Sequence, residues 1–239
     1  MKVNLLLCDT FPGLIPPGMP SYDEMFTGLF GKAGCRETRV FNTWNGQLPQ
    51  KFSPGEAYVI TGSNSGAYDD TPWIASLRRW IRRTAGEGCA MIGICFGHQA
   101  IAQALGGRVE RSPKGWGVGI RVSQIVDTAA KEALGPAVSL IYNHHDQVTE
   151  LPEGAVRIAE SDFCPNDGFR IGERIYALQG HPEFPVEFER HWIENLAPDE
   201  PAELKARALA SLSLLPNDGQ RVADWLIRTL AAPKPAPSK

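Results

Sequence analysis

The sequence predicts an α/β fold: an open, mostly parallel, twisted sheet with helices on both faces and a smaller antiparallel portion. Three observations lead there. As far as Leu105, short apolar runs alternate with amphipathic stretches of helical period, the pattern of parallel strands joined by crossover helices. One of those runs, Ala90 to Ile94, passes into a helix through a turn flanked by Gly93 and Gly97. Beyond 107, strand-like segments follow one another with little helix between them, which marks an antiparallel or mixed region.

Val3 to Leu7 reads as a buried strand, followed by a Pro/Gly loop from Phe11 to Pro20. Ser21 and Glu24 make a capping-box pattern that opens a helix burying Met25, Phe26, Leu29 and Phe30. Thr38 to Phe41 and Ala57 to Ile60 are the next strands, the second ending in the turn Thr61-Gly62-Ser63. Thr71-Pro72 starts a helix, with Thr as N-cap and Pro in the first turn, whose inner face is Ile74, Leu77, Trp80 and Ile81. The pairs Arg78-Arg79 and Arg82-Arg83 fall on its solvated side, and Trp73 and Trp80 read as core. A strand at 89–94 and a helix from Phe96 to Leu105 follow. Segments 107–123, 137–142, 155–160 and 168–178 read as strands, and 185–196, 201–212 and 218–230 as helices. Residues 1–230 are expected to form one domain with additional C-terminal helices at 185–230. The tail 231–239, with prolines at 233, 235 and 237, is expected to be disordered.

The composition is 43% hydrophobic and 21% charged over 239 residues, ordinary for a globular protein. A net charge of −3 gives no footprint for nucleic acid or an anionic membrane, and the apolar runs are too short to span a bilayer. The first apolar stretch, Val3 to Cys8, is short for a signal peptide and reads as a strand. Five cysteines, at 8, 35, 89, 95 and 164, show no C-x-x-C spacing, which argues against a disulfide framework or a zinc ribbon and for a reducing, cytoplasmic setting.

Two short motifs carry the chemistry. Gly93-Ile94-Cys95-Phe96-Gly97 has the form of a nucleophile elbow, a strained strand-to-helix turn that presents one reactive side chain. The helix start after Cys95 offers unpaired N–H groups and a positive dipole end, both favouring thiolate. A buried core cysteine is the competing reading, and the glycine spacing disfavours it. The second motif is Gln179-Gly180-His181-Pro182-Glu183, after the strand-like run Arg174 to Leu178. If the chain stays extended, His181 and Glu183 emerge on one face, the carboxylate fixing the imidazole tautomer. Pro182 keeps His181 out of the helical region. His98 is a rival base on the nucleophile's own helix, but an elbow points its nucleophile away from that helix, so His98 reads as structural. His144-His145-Asp146 as a metal site is disfavoured because neighbours on a strand point apart. His191 reads as a surface or core histidine of a helix. The α/β-hydrolase order, with the acid before a distant His, does not match.

The runs Gly93 to Gln99 and Gly180 to Glu183 resemble the two signatures of class I glutamine amidotransferase domains, a flavodoxin-like fold. The likeness extends to Ile60-Thr61-Gly62-Ser63 and covers roughly residues 1 to 190. It is nearest to the stand-alone branch related to the glutaminase domain of GMP synthetase, through Tyr22-Asp23-Glu24-Met25-Phe26, Tyr68-Asp69-Asp70 and Asp146-Gln147-Val148. The resemblance implies a Cys95–His181–Glu183 triad and oxyanion donors from the backbone of Phe96 and of the Gly62-Ser63 turn, Ser63 above all. It also implies contacts to substrate from Gln99 and from Asn143, His144 and His145. The implied reaction is attack of Cys95 on the γ-carboxamide of glutamine, a thioester, and release of ammonia. It needs no cofactor or metal. The alternative is a γ-glutamyl peptidase acting on γ-glutamyl peptides or glutathione derivatives. Less favoured is an inactive or partner-activated regulatory subunit. The expected partners are a small-molecule substrate and, for a glutaminase, a separate ammonia-accepting synthase, with no nucleic acid or membrane.

Overall fold

The computed structural model describes residues 1–53, 55–195 and 200–232. The first part alternates as expected: β1 (Lys2–Leu7), α1 (Tyr22–Lys32), β2 (Glu37–Asn42), β3 (Glu56–Ile60), α2 (Pro72–Gly86), β4 (Ala90–Ile94) and α3 (Phe96–Ala104). Glu24 Oε2 accepts the Ser21 N–H at 2.8 Å, completing the expected start of α1. Thr71 precedes α2 but makes no side-chain cap, so Pro72 is the stronger start signal there.

The remainder contains more elements than expected. The run 107–123 is two strands, β5 (Arg108–Arg111) and β6 (Gly117–Ile125), separated by a turn through Pro113 and Gly115. They are followed by α4 (Thr128–Leu134), β7 (Ala137–His144), β8 (Asp146–Glu150) and β9 (Ala155–Glu160). The run 168–178 is a hairpin, β10 (Gly168–Ile171) and β11 (Ile175–Leu178), and the chain ends in α5 (Val186–Asn195), α6 (Ala202–Leu214) and α7 (Gly219–Ala231). The expected disordered tail lies outside the described residues from 233 onward. No helix of the described residues is long and apolar enough to cross a membrane.

Nine strands form one sheet in the order β2-β1-β3-β4-β11-β10-β9-β6-β7, while β5 and β8 form a separate pair. From β2 to β11 neighbours are parallel; from β11 to β7 they are antiparallel. β11 is the seam, parallel to β4 and antiparallel to β10. That seam sets the C-terminal end of β11 beside those of β4 and β3. In parallel sheets the crevice beyond the strand C-termini is where ligands bind.

Strand side chains alternate between two cores. Leu5, Leu7, Val59, Ile92 and Ile94 pack on the face covered by α1 and α7, with Phe26, Phe30 and Leu226. Leu6, Tyr58, Ile60 and Met91 face α2 and α3, with Ile74, Leu77 and Ile101. Each fully buried Leu, Ile or Phe contributes roughly 1.5–3 kcal/mol over its exposed state, which fixes strand register because a one-residue slip would exchange the faces.

The C-terminal helices grip the seam. Gly219, at the start of α7, meets Pro182 so closely that a Cβ would lie 2.2 Å from the Pro182 carbonyl oxygen. Asn217 Nδ2 donates to the Phe184 carbonyl at 3.2 Å, and Asp218 and Ser139 exchange two hydrogen bonds of 2.8 Å. On the other side of the site, the edge of β6 near Gly119 lacks a strand partner. Glu189 Oε1 from α5 accepts the Gly119 N–H at 3.1 Å, and Ser211 Oγ from α6 accepts the Ile120 N–H at 2.9 Å.

Candidate active site

Cys95 occupies the turn between β4 and α3 with φ 51° and ψ −104°, a left-handed conformation that L-residues rarely adopt. The flanking glycines make the turn possible. A Cβ on Gly97 would sit 2.1 Å from the Ile60 carbonyl oxygen, and one on Gly93 would sit 2.6 Å from the Gly97 backbone. The elbow is held by Cys95 N–H donating to the Leu178 carbonyl at 2.9 Å, so β4 and β11 position the cysteine together.

β11 stops at Leu178, earlier than an extended run to Glu183 requires. His181 N–H donates instead to the Ile141 carbonyl at 2.7 Å in an isolated bridge to β7, which restores the extended geometry locally. His181 Nδ1 then lies 2.7 Å from Glu183 Oε1, with both side chains buried. Cys95 and His181 line the same small cavity, and the Cys95 sulfur acts electrostatically on the imidazole. Phe184 stacks on the imidazole at 4.0 Å with an interplanar angle of 6°, fixing the ring plane. Burial alone would depress the His181 pKa, but the Glu183 carboxylate and the Cys95 sulfur outweigh it and raise it to about 10.

The turn after β3 passes beside this cluster. The Gly62 N–H, counted among the expected oxyanion donors, is committed elsewhere: it donates to Tyr22 Oη at 3.0 Å. That corrects the expectation for Gly62. The N–H groups of Ser63 and Phe96 have no acceptor among the described residues. Ser63 Oγ supports its own turn by accepting the Ser65 N–H at 3.2 Å, and Asp9 Oδ2 accepts the Asn64 N–H at 3.0 Å.

The other expected residues divide. Gln99 Nε2 donates to the Asp146 carbonyl at 2.9 Å and to Gln179 Oε1 at 3.1 Å, tying α3 to β8. Asn143, His144 and His145 line a groove of about 270 Å³ that reaches Cys95, together with Trp116 and Trp192. His144 is buried, its Nδ1 2.9 Å from the Asp146 carbonyl, and burial lowers its pKa to about 3. His145 stacks on Trp116 at 5.9 Å. His98 is fully buried against Phe169 at 5.1 Å, and burial lowers its pKa to about 3, so it is a neutral core group at any ordinary pH. His191 lies on α5, 3.2 Å from Asn195 Nδ2. Among the described residues, no three His, Cys, Asp or Glu side chains gather into a metal-binding set.

Tyr22, Glu189 and Trp116 escaped the sequence reading. Tyr22 reads as a helix start, yet its hydroxyl donates to Glu183 Oε1 at 3.1 Å from 161 residues away. Glu189 reads as one more polar residue of a surface helix. It is buried, and burial raises its pKa to about 7 even though the Gly119 N–H and the nearby His181 oppose the shift. Asn143 links it to Trp116: Nδ2 lies 3.5 Å from Glu189 Oε2, and Oδ1 accepts the Trp116 indole N–H at 3.0 Å. The only local signal was for Glu189: it falls on the inner face of α5 with Phe188 and Ile193.

The class-I glutamine amidotransferase model matches residues 57–197. Gamma-glutamyl peptidase 3 of Arabidopsis thaliana is 33% identical over 175 residues, 70% of each chain. The glutamine-hydrolyzing GMP synthase subunit of Archaeoglobus fulgidus is 37% identical over 110 residues, 44% of this chain and 60% of that one. The crystal structure of a glutamine amidotransferase from Thermotoga maritima superposes with a TM-score of 0.73 at 21% identity, covering 96% of this chain and 95% of the other. With an intact elbow at Cys95 and a buried His181–Glu183 pair beside it, the chain belongs to the class I glutamine amidotransferase family.

Proposed function

We propose that this protein is a cysteine-dependent γ-glutamyl hydrolase that cleaves γ-glutamyl peptide bonds, with Cys95, His181 and Glu183 as its triad. The observation that carries the reading is the pairing of Cys95 with a His181 held protonated by Glu183, at the mouth of a groove larger than ammonia needs. The likeness to γ-glutamyl peptidases over 70% of the chain supports a peptide as the substrate in preference to free glutamine.

In this mechanism the Cys95 sulfur adds to the γ-carbonyl carbon, and the carbonyl oxygen becomes an oxyanion. The Ser63 and Phe96 N–H groups stabilise it; one such donor is worth on the order of 10²–10³ in rate. His181 gives its proton to the departing amine as the C–N bond breaks, leaving a γ-glutamyl thioester on Cys95. His181 then takes a proton from water, which attacks the thioester. The second tetrahedral state collapses to free glutamate and restores the thiolate and the imidazolium. Glu183 keeps Nδ1 protonated throughout and carries no proton itself.

Glutamine hydrolysis in the service of a separate synthase is the second reading, favoured by the GMP synthase relatives. The two part on one comparison with purified protein and no ATP: amine release from γ-glutamyl dipeptides against ammonia release from glutamine. Faster turnover of the dipeptides supports the peptidase. Ammonia release that appears only when a second protein is added overturns it.

A further inference from the structure

A second cavity lies behind the wall of the groove. Its volume is about 590 Å³, and Trp116 lines both spaces. It sits on the edge of β6 that no strand covers, roofed by α6. Three cations line it, Lys114, Arg121 and Arg207, against a single carboxylate, Asp162. Among the described residues none of the three cations forms an ion pair. Lys114 Nζ is turned to the carbonyls of Asp162 and Phe163. Arg121 packs over the Phe163 ring, its Cζ 4.1 Å from the centroid, and its N–H groups have no hydrogen-bond acceptor among the described residues. Asp167, which attracts Arg121 electrostatically, is itself taken up by the Ser123 and Ser161 hydroxyls. Burial disfavours charge on Arg121, and the neighbouring Arg207 adds to that against the pull of Tyr142 and Asp167. Arg121 is half-buried and Arg207 is exposed at the cavity edge, neither has a carboxylate in an ion pair, and a planar carboxylate fits the fork that a guanidinium presents.

We propose that this cavity receives the C-terminal carboxylate of the leaving group of a γ-glutamyl peptide, held by Arg121 and Arg207, so that the enzyme prefers peptides to γ-glutamyl amides. This rests on the peptidase reading above. The cavities supply the connection: the groove reaches Cys95, and Trp116 lines both that groove and the cavity that holds the cations. An extended residue spans roughly 3.3–3.6 Å, so a dipeptide leaving group carries its carboxylate about 7 Å beyond the scissile nitrogen, past the edge of one indole. Lys114 sits at the rim, where a mobile ammonium steers anions more than it fixes them.

The test uses γ-glutamyl-alanyl-glycine and its C-terminal amide with the full-length protein. The wild type is expected to favour the free acid over the amide by about tenfold in kcat/KM, the size of one charge-assisted contact. Arg207→Gln, on an exposed helix face, and Arg121→Gln are each expected to bring that preference towards unity. A parallel measurement follows binding of both peptides to the Cys95→Ala protein by calorimetry, with and without Arg207→Gln. If the wild type cleaves neither peptide, yet Cys95→Ala binds the acid more tightly and Arg207→Gln removes the difference, the peptidase reading falls and the carboxylate site stands. Equal treatment of acid and amide by the wild type in both measurements overturns the site. A preference that survives both arginine substitutions also overturns it.

Discussion

Tyr22 Oη donates to Glu183 Oε1 at 3.1 Å and accepts the Gly62 N–H at 3.0 Å. One hydroxyl therefore joins the carboxylate that orients His181 to the turn that carries Ser63. Burial, and then the adjacent Glu183 and Cys95 charges, push the Tyr22 pKa well above the ordinary phenol range, so the group stays protonated and can donate. Its ring is wedged among Phe11, Phe26 and Phe184, at centroid distances of 4.5, 5.3 and 5.9 Å, which leaves the hydroxyl little freedom.

Tyr22→Phe keeps that aromatic packing and removes only the bridge. The Gly62 N–H is then buried without an acceptor, at a cost of about 1–3 kcal/mol, and the turn gains a reason to rotate. The expected result is a fall in kcat of about tenfold or more with KM within a factor of about two, because an oxyanion donor acts on the transition state and little on ground-state binding. A rise in KM at constant kcat would instead make Tyr22 a substrate-binding group.

The two histidines near Cys95 are expected to behave differently. His181→Asn removes the proton donor of the proposed mechanism and is expected to cost at least about 10³-fold in kcat, on the order of triad substitutions elsewhere. Cys95→Ala is expected to abolish turnover. His98→Asn leaves the triad in place and trades a fully buried imidazole packed on Phe169 for a smaller group. Its main effect is expected on melting temperature, with kcat reduced far less than in His181→Asn. Steady-state kinetics beside thermal denaturation separate the two, and equal kinetic losses would make His98 a working part of the site.

The part of this site that was readable in the sequence is the part encoded locally. The elbow and the His-Pro-Glu run announce themselves because backbone strain and short-range pairing need particular residues at fixed spacing. α1, α2 and α3 could be read from periodicity and caps. The run 168–178 looked continuous because its turn at Gly172 is short and both arms are apolar. α4 was missed because its seven residues bury only Ala130 and Leu134, too few to show a period. Tyr22, Glu189 and the placement of Trp116 beside Asn143 depend on contacts between segments far apart in the chain, and no local pattern distinguishes a tyrosine that packs from one that also bridges. The commitment of the Gly62 N–H was hidden for the same reason.

Glu189 gives a stability prediction with a definite sign. Its folded-state pKa, about 7, lies above the ordinary value of 4.5. Between those values the folded protein binds more protons than the unfolded chain, so stability falls as pH rises through that window. Glu189→Gln keeps a carbonyl oxygen for the Gly119 N–H and removes the titration. The variant is expected to gain on the wild type by up to about 3 kcal/mol, with little gain near pH 4 and the full gain near pH 8. Denaturant melts at the two pH values test this. A gain that does not change with pH would place the ionised carboxylate in contact with a cation or solvent.

His181 gives the corresponding kinetic prediction. Its pKa is raised to about 10 against an ordinary 6.5, and the Glu183 carboxylate is the leading cause of the rise once burial has been overcome. The sign is the usual one for a histidine that gains anionic partners. The charged pair contributes its full stability below about pH 6.5 and loses it as pH climbs towards 10. In the proposed mechanism the imidazolium protonates the leaving amine, so kcat/KM is expected to hold through neutral pH and to fall on an alkaline limb near 10. Glu183→Gln removes the negative neighbour at 2.7 Å while preserving the side-chain shape. It is expected to leave residual activity, reduced on the order of 10³–10⁴-fold, and to move the alkaline limb towards neutrality. The shift of the limb is the more informative of the two effects, since any disturbance of the site lowers kcat but only loss of the carboxylate's field lowers the pKa of the acid. A limb that stays near 10 in Glu183→Gln would mean that Glu183 holds the ring by position alone and that the Cys95 sulfur is what keeps His181 protonated.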